Sequence, residues 1–341
     1  MITRIWHGAT PASKSDEYLN LMRTVAIPDY RSTPGNKGAY ALRRMEGDTA
    51  HFLMVTFWES EEAIRAFAGD DISVAKYCDF DKDFLRELGP CTVTDVHFHS
   101  SSIEGMFWCR IIGPQVGPNE RLPVLYLLHG VNSDLKEITE HSEVTNLAAA
   151  SHLIIVMPEV GFSYYTNAKH KRHARWENAV AEELPRDVEK RFPVLSGREH
   201  TGIAGISMGG YGAVKLALKH PALYGFVGNM SGPLDITRRE ASLRRWGQTL
   251  RIWNTFGVRP NIRRDEDVFD LLDRAVEVKS VTWFESCGKN DALLSVNERF
   301  ARKLRERGVT LDLITTSGGH DWQSWNAAMP DLFRIAEKAL R

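Results

Sequence analysis

Residues Gly202–Ala213 read GIAGISMGGYGA, and the fold turns on whether Ser207 is a nucleophile on a strained turn or a small residue in a glycine-rich bend. An apolar run, TGIAGI, enters the Gly205-Ile-Ser-Met-Gly209 segment, and a run of good helix formers, AVKLALKH, leaves it. Strand, tight turn and helix are the context a GxSxG nucleophile elbow needs. Gly205 and Gly209 are then expected where neighbouring backbone passes closely, and the helix opening at Met208 turns free N–H groups toward developing negative charge.

A serine hydroxyl needs a base, and the base needs an acid to orient it. In the strand-turn-helix architecture the chain order is Ser, then Asp or Glu, then His. Asp291 follows the apolar run VTWFES in CGKND, and His320 follows LDLITTSGG. Both occupy loops beyond strand ends, where open parallel sheets place their ligands. Asp235 and Asp321 are the rival acids. The two oxyanion donors fall on the backbone N–H of Met208, directly after the serine, and of Val131, in the loop that begins at Gly130 after LPVLYLLHG. His129 reads as a buried histidine that fixes this loop.

Working outward, residues 93–341 alternate short apolar runs with helical stretches, which implies a mostly parallel sheet with helices on both faces. An Arg-rich helical segment of about 233–278 interrupts the alternation as an inserted cap. Arg238, Arg239, Arg244 and Arg245 there face Asp265, Glu266, Asp267 and Asp270, which suggests a mixed, solvent-laced surface. Residues 1–92 have a different rhythm. The order strand, helix, strand, strand, helix reads as a small ferredoxin-like α+β domain, with a hairpin turn at Gly47-Asp48 and a helix that stops near Pro28. Ser60 is its second helix's N-cap. A last strand is expected from CTVTDVHF, which could equally open the second domain. The fold class is therefore α/β, an α/β-hydrolase fold preceded by a ferredoxin-like domain.

Composition narrows the functional classes. A net charge of −1 argues against generic nucleic-acid binding, which needs an excess of Lys and Arg. No apolar run reaches the length of a membrane span, and the first residues lack a secretory signal's apolar segment. Four cysteines without a CxxC pair fit a reducing, cytoplasmic setting. His97 and His99 share a strand face but have no evident third ligand, so no metal site is expected.

The segments LPVLYLLHG, VMPEVGFSYYTN, WENAVAEELP, AGISMGGYGA, CGKNDALL and GGHDWQSW together resemble the esterase family that includes S-formylglutathione hydrolases, feruloyl esterases and mycobacterial mycolyltransferases. The resemblance implies a triad of Ser207, Asp291 and His320, with Val131 and Met208 as oxyanion donors. It favours Tyr164 and Tyr165 as substrate neighbours, and Trp322 stands between core packing and a pocket wall. The loop GVNSDLKEI departs from the family pattern, lacking its second glycine and its tryptophan. WHGATP, PDYRSTPGNKG and FWESEEAIRAF resemble antibiotic-biosynthesis-monooxygenase-like, dimeric α/β-barrel domains, which implies a homodimer formed through the N-terminal domain. The expected activity is hydrolysis of a small or medium carboxylic ester through an acyl-enzyme, without cofactor. The alternatives are a thioesterase or S-formylglutathione hydrolase, an acyltransferase, and a non-catalytic hydrolase-fold binding module.

Overall fold

The computed structural model describes residues 1–341 except 47–48, 70–71, 73–77, 79, 85–90, 115, 117–119, 132, 170, 239–245 and 258–263. Two compact units make up the chain, Met1–Gly89 and Pro90–Arg341.

The smaller unit holds β1 (Ile2–Pro11), β2 (Asn36–Glu46) and β3 (Thr49–Trp58), an antiparallel sheet in the order β1-β3-β2. Alternation along β3 sends Phe52, Met54 and Trp58 inward, where Tyr18, Met22, Ile64 and Phe67 from the helices cover them. Ser60 caps the helix Glu61–Ala68 by accepting from Ala63 N–H at 3.3 Å, as its sequence position predicts. The expected hairpin turn at Gly47-Asp48 lies outside the described residues.

The first helix does not stop at Pro28. A π-helical turn over Met22–Ala26, in which Ile27 N–H reaches back to Met22 O, leads into Ile27–Ser32. The larger unit repeats the device: a π turn over Ala179–Glu183, closed by Leu184 N–H on Ala179 O, precedes Pro185 in the helix Leu184–Arg191. Proline lacks the N–H of a regular ladder, and a widened turn before it lets the helix continue past the gap.

The larger unit contains β4 (Cys91–Ser100), β5 (Gly105–Pro114), β6 (Val124–Leu128), β7 (Ile154–Pro158), β8 (Thr201–Ile206), β9 (Phe226–Met230), β10 (Thr282–Gly288) and β11 (Leu313–Thr316). They form one sheet in the order β11-β10-β9-β8-β6-β7-β5-β4. Strands β6 to β11 pair in parallel, while β5 runs antiparallel to both β7 and β4. The CTVTDVHF strand thus belongs here, as β4 paired along its whole length with β5, and does not complete the smaller sheet.

Period-two alternation divides the core. Val124, Tyr126 and Leu128 of β6 face one apolar cluster, which the helix Met208–Lys219 joins through Met208 and Tyr211. Leu125 and Leu127 face the other, covered by Ala328, Leu332 and Ala336 of the helix Trp322–Leu340. Burial on both faces is why β6 and β7 are continuously apolar. The segment 233–278 carries the helices Trp246–Phe256 and Val268–Arg274. Arg238 forks onto Asp267, which also caps the second helix; Arg239, Arg244 and Arg245 lie outside the described residues. Among the described residues no helix is long and apolar enough to cross a membrane.

Candidate active site

The turn between β8 and its helix has the predicted strain. Ser207 sits at φ +54° and ψ −117°, a backbone region L-residues seldom occupy. It is held there by its N–H on Met230 O at 2.8 Å and its carbonyl under Tyr211 N–H at 3.2 Å. A Cβ on Gly205 would lie 2.3 Å from the carbonyl carbon of Gly209, and one on Gly209 would lie 2.1 Å from Leu128 O. Both contacts are with backbone, so no side-chain adjustment could relieve them. Only glycine lets β6, β8 and the helix converge this closely.

Three loops then meet. Ser207 Oγ lies 2.8 Å from His320 Nε2, and His320 Nδ1 lies 2.8 Å from Asp291 Oδ2. The Asp291 side chain is fully buried, whereas that of His320 is partly exposed. Asp291 also accepts from Leu293 N–H at 2.8 Å. Burial acts to raise the Asp291 pKa, but the hydrogen bonds from His320, Leu293 and Ser231 outweigh it and leave the carboxyl below its ordinary value. An ionised acid at Nδ1 fixes the tautomer with Nδ1–H toward Asp291 and leaves Nε2 free to accept from the serine.

The acid on His320 Nδ1 is Asp291 and neither of its rivals. Asp321 caps the helix Trp322–Leu340, accepting from Ser324 and Gly319 N–H at 3.0 Å each. Asp235 O takes the N–H of Arg238 in the short 3-10 turn that follows. Burial pushes the Cys287 thiol up to about 12, which makes it a small apolar residue at neutral pH.

A cleft of about 200 Å³ opens over the serine, bounded by Val131, Ile138, Ser207, His320, Trp322 and Trp325. Trp325 stands edge-on to the His320 ring at 5.2 Å between centroids, and Trp322 stands edge-on to Trp325 at the same distance. Trp322 is therefore a cleft wall. Met208 is the first residue of its helix, so its N–H has no acceptor within that helix, and Val131 borders the serine from the opposite loop. Tyr164 and Tyr165 do not border this cleft. They are 2% and 0% exposed, inside the core beneath it. A second cleft, of about 210 Å³ between Phe162, Trp176 and Asn254, contains none of Ser207, Asp291 or His320. Among the described residues no group of three or more His, Cys, Asp or Glu side chains is arranged to hold a metal ion.

Two buried charged residues of the larger unit carry no functional expectation from the sequence. Glu285, in the middle of β10, is fully buried. Lys215, in the helix after Ser207, is fully buried as well. Each was a charged residue inside an otherwise apolar run, and that is the only signal the sequence offers for them.

Comparison with known proteins places these features in context. A family model described as Putative esterase matches residues 100–335, and one described as Antibiotic biosynthesis monooxygenase matches residues 1–72. The chain is 26% identical to an acetyl esterase of Caldicellulosiruptor saccharolyticus over 64% of its own length and 85% of that relative. It is also 26% identical to an esterase of Mycobacterium tuberculosis over 62% of its length, spanning 50% of that longer relative. Among solved structures it is similar to a fluorophosphonate-binding serine hydrolase of Staphylococcus aureus, with a TM-score of 0.64, 25% identity, and 73% and 99% of the two chains covered. It is likewise similar to a ferulic acid esterase, with a TM-score of 0.61, 26% identity, and 72% and 98% covered.

Proposed function

The chain belongs to the esterase family, and from that membership we propose that it hydrolyses carboxylic esters at Ser207 through an acyl-enzyme. The observation that carries the proposal is the unbroken hydrogen-bonded line from Ser207 Oγ through His320 to buried Asp291. In this reading His320 Nε2 takes the serine proton as Oγ attacks the ester carbonyl. Asp291 holds the imidazole in the right tautomer and stabilises the cation that forms. The N–H groups of Met208 and Val131 receive the tetrahedral oxyanion. Protonated His320 then hands its proton to the leaving alcohol, and water repeats the sequence on the acyl-serine. A cleft of about 200 Å³ walled by Trp322 and Ile138 supports a short acyl group, in keeping with the acetyl esterase among the relatives. Ser207→Ala should abolish hydrolysis of p-nitrophenyl acetate without lowering the unfolding midpoint; unchanged turnover would sink the assignment.

For the smaller unit we infer a homodimer formed through its sheet. Direct cross-strand partners share a face, and the register puts Ile5, Tyr40, Leu42 and Leu53 together on the face opposite the core. They are 62%, 52%, 55% and 39% exposed. A contiguous apolar face of this kind is a natural surface for a second copy. Cys109 and Cys287 are buried thiols, which supports a reducing, cytoplasmic setting.

A further inference from the structure

The chain spends a fully buried lysine and two strained tyrosines beside the cleft, and none of them touches the space where an ester would sit. Lys215 is 0% exposed. Its Nζ donates to Tyr165 O at 2.6 Å, to Thr166 Oγ1 at 2.8 Å and to Glu177 at 3.1 Å, and lies 3.1 Å from Glu266. Tyr164 and Tyr165 both adopt positive φ, +51° and +54°. Two adjacent non-glycine residues in this region persist only where the surroundings over-determine them. Lys215, together with Ser163 Oγ, which accepts Tyr165 N–H at 3.0 Å, supplies that constraint.

What the constraint holds is the Tyr165 hydroxyl. It donates to His129 O at 3.0 Å. From there the line continues into the loop that carries Val131. His129 Nδ1 lies 2.7 Å from Gly130 O, and His129 Nε2 accepts Val160 N–H at 3.2 Å. Those partners define one neutral tautomer, with Nδ1–H donating to the carbonyl. The other end of the line is the elbow helix itself. Lys215 stands seven residues, two helical turns, beyond Met208, so both lie on nearly the same face.

We propose that Tyr165, anchored by Lys215, is a positioning residue that ties the Val131 loop to the helix bearing Met208 and so fixes the two oxyanion donors relative to one another. The inference rests on the hydrolase reading above. It also gives Tyr165 a role without placing it against the substrate. Without the tie, the substrate still binds in the cleft, but the donors lose alignment with the oxygen as it becomes an oxyanion. Interactions made only in the transition state appear in kcat and leave KM alone.

The test is Tyr165→Phe, with Tyr18→Phe as a control. The Tyr18 hydroxyl is equally buried and donates to Asp81 Oδ1 at 2.7 Å, within the smaller unit. Turnover of p-nitrophenyl acetate is measured per active site, with sites counted by fluorophosphonate titration, so that any unfolded fraction drops out. The expected result is a kcat per site roughly tenfold lower for Tyr165→Phe at unchanged KM, given the sensitivity of rates to small misplacements, with Tyr18→Phe within about twofold of the parent. Equal kcat per site in Tyr165→Phe, or an equal fall in both variants, would overturn the proposal. Lys215→Met tests the other end: a fall in kcat per site supports the tie, and a lowered unfolding midpoint alone removes Lys215 from it. Absence of titration and turnover in the parent protein would instead refute the hydrolase reading.

Discussion

Glu285 gives the sharpest quantitative consequence of this fold. Its side chain is fully buried in β10, with Oε2 accepting from Asn229 Nδ2 at 2.7 Å and Oε1 without a partner. Burial pushes its pKa from an ordinary 4.5 up to about 8, the Asn229 bond countering only part of the rise. The folded chain therefore keeps a proton that the unfolded chain has released across pH 4.5 to 8. The associated stability is fully present below pH 4.5 and is lost as pH rises through 8. The slope is at most about 1.4 kcal/mol per pH unit, and the whole window amounts to roughly 5 kcal/mol as an upper bound. Glu285→Gln keeps an oxygen for Asn229 and has no proton to lose. Parent and variant should unfold at similar temperatures near pH 5. At pH 8.5 the variant should unfold later, by about 5 °C or more for a unit of this size. Thermal midpoints of both proteins at half-unit pH steps measure the difference directly, because the other titrating groups are common to the pair. Parallel curves from pH 5 to 9 would refute the reasoning.

Further outcomes follow from the site and the smaller sheet. Asp291→Asn should lower kcat by about 10³-fold or more by stabilising the wrong imidazole tautomer, whereas Asp321→Ala, which removes a helix cap and a bond to Gly319 N–H but none to the imidazole, should stay within about tenfold in a p-nitrophenyl acetate assay. Gly209→Ala would put a methyl 2.1 Å from Leu128 O, and its chemical denaturation should show a loss of roughly 3 kcal/mol or more. Leu53→Glu charges the exposed sheet face and should convert a dimer to a monomer in sedimentation, with turnover retained.

The elbow was legible because its determinants are local. Gly205, Ser207 and Gly209 lie within five residues, and the contact they permit leaves a steric signature in the sequence itself. The placement of Asp291 and His320 was legible for a similar reason: each follows a run that reads as a strand, β10 in the buried part of the sheet and β11 at its edge. The non-local features were not. Whether CTVTDVHF served the first or second sheet depended on its pairing with β5, which periodicity does not encode. The family resemblance favours Tyr164 and Tyr165 as substrate neighbours, whereas both lie inside the core with left-handed backbone, and Tyr165 is held by Lys215 some 50 residues away. Pro28 looked like a stop because a π turn is invisible to a 3.6-residue pattern.

The chemistry proposed for the cleft depends on Ser207 being the nucleophile. Mass spectrometry after treatment with a fluorophosphonate reads this residue by residue. One covalent adduct per chain is expected, on the peptide carrying Ser207, and none in Ser207→Ala. An unlabelled chain, or a label on any other residue, would contradict that assignment.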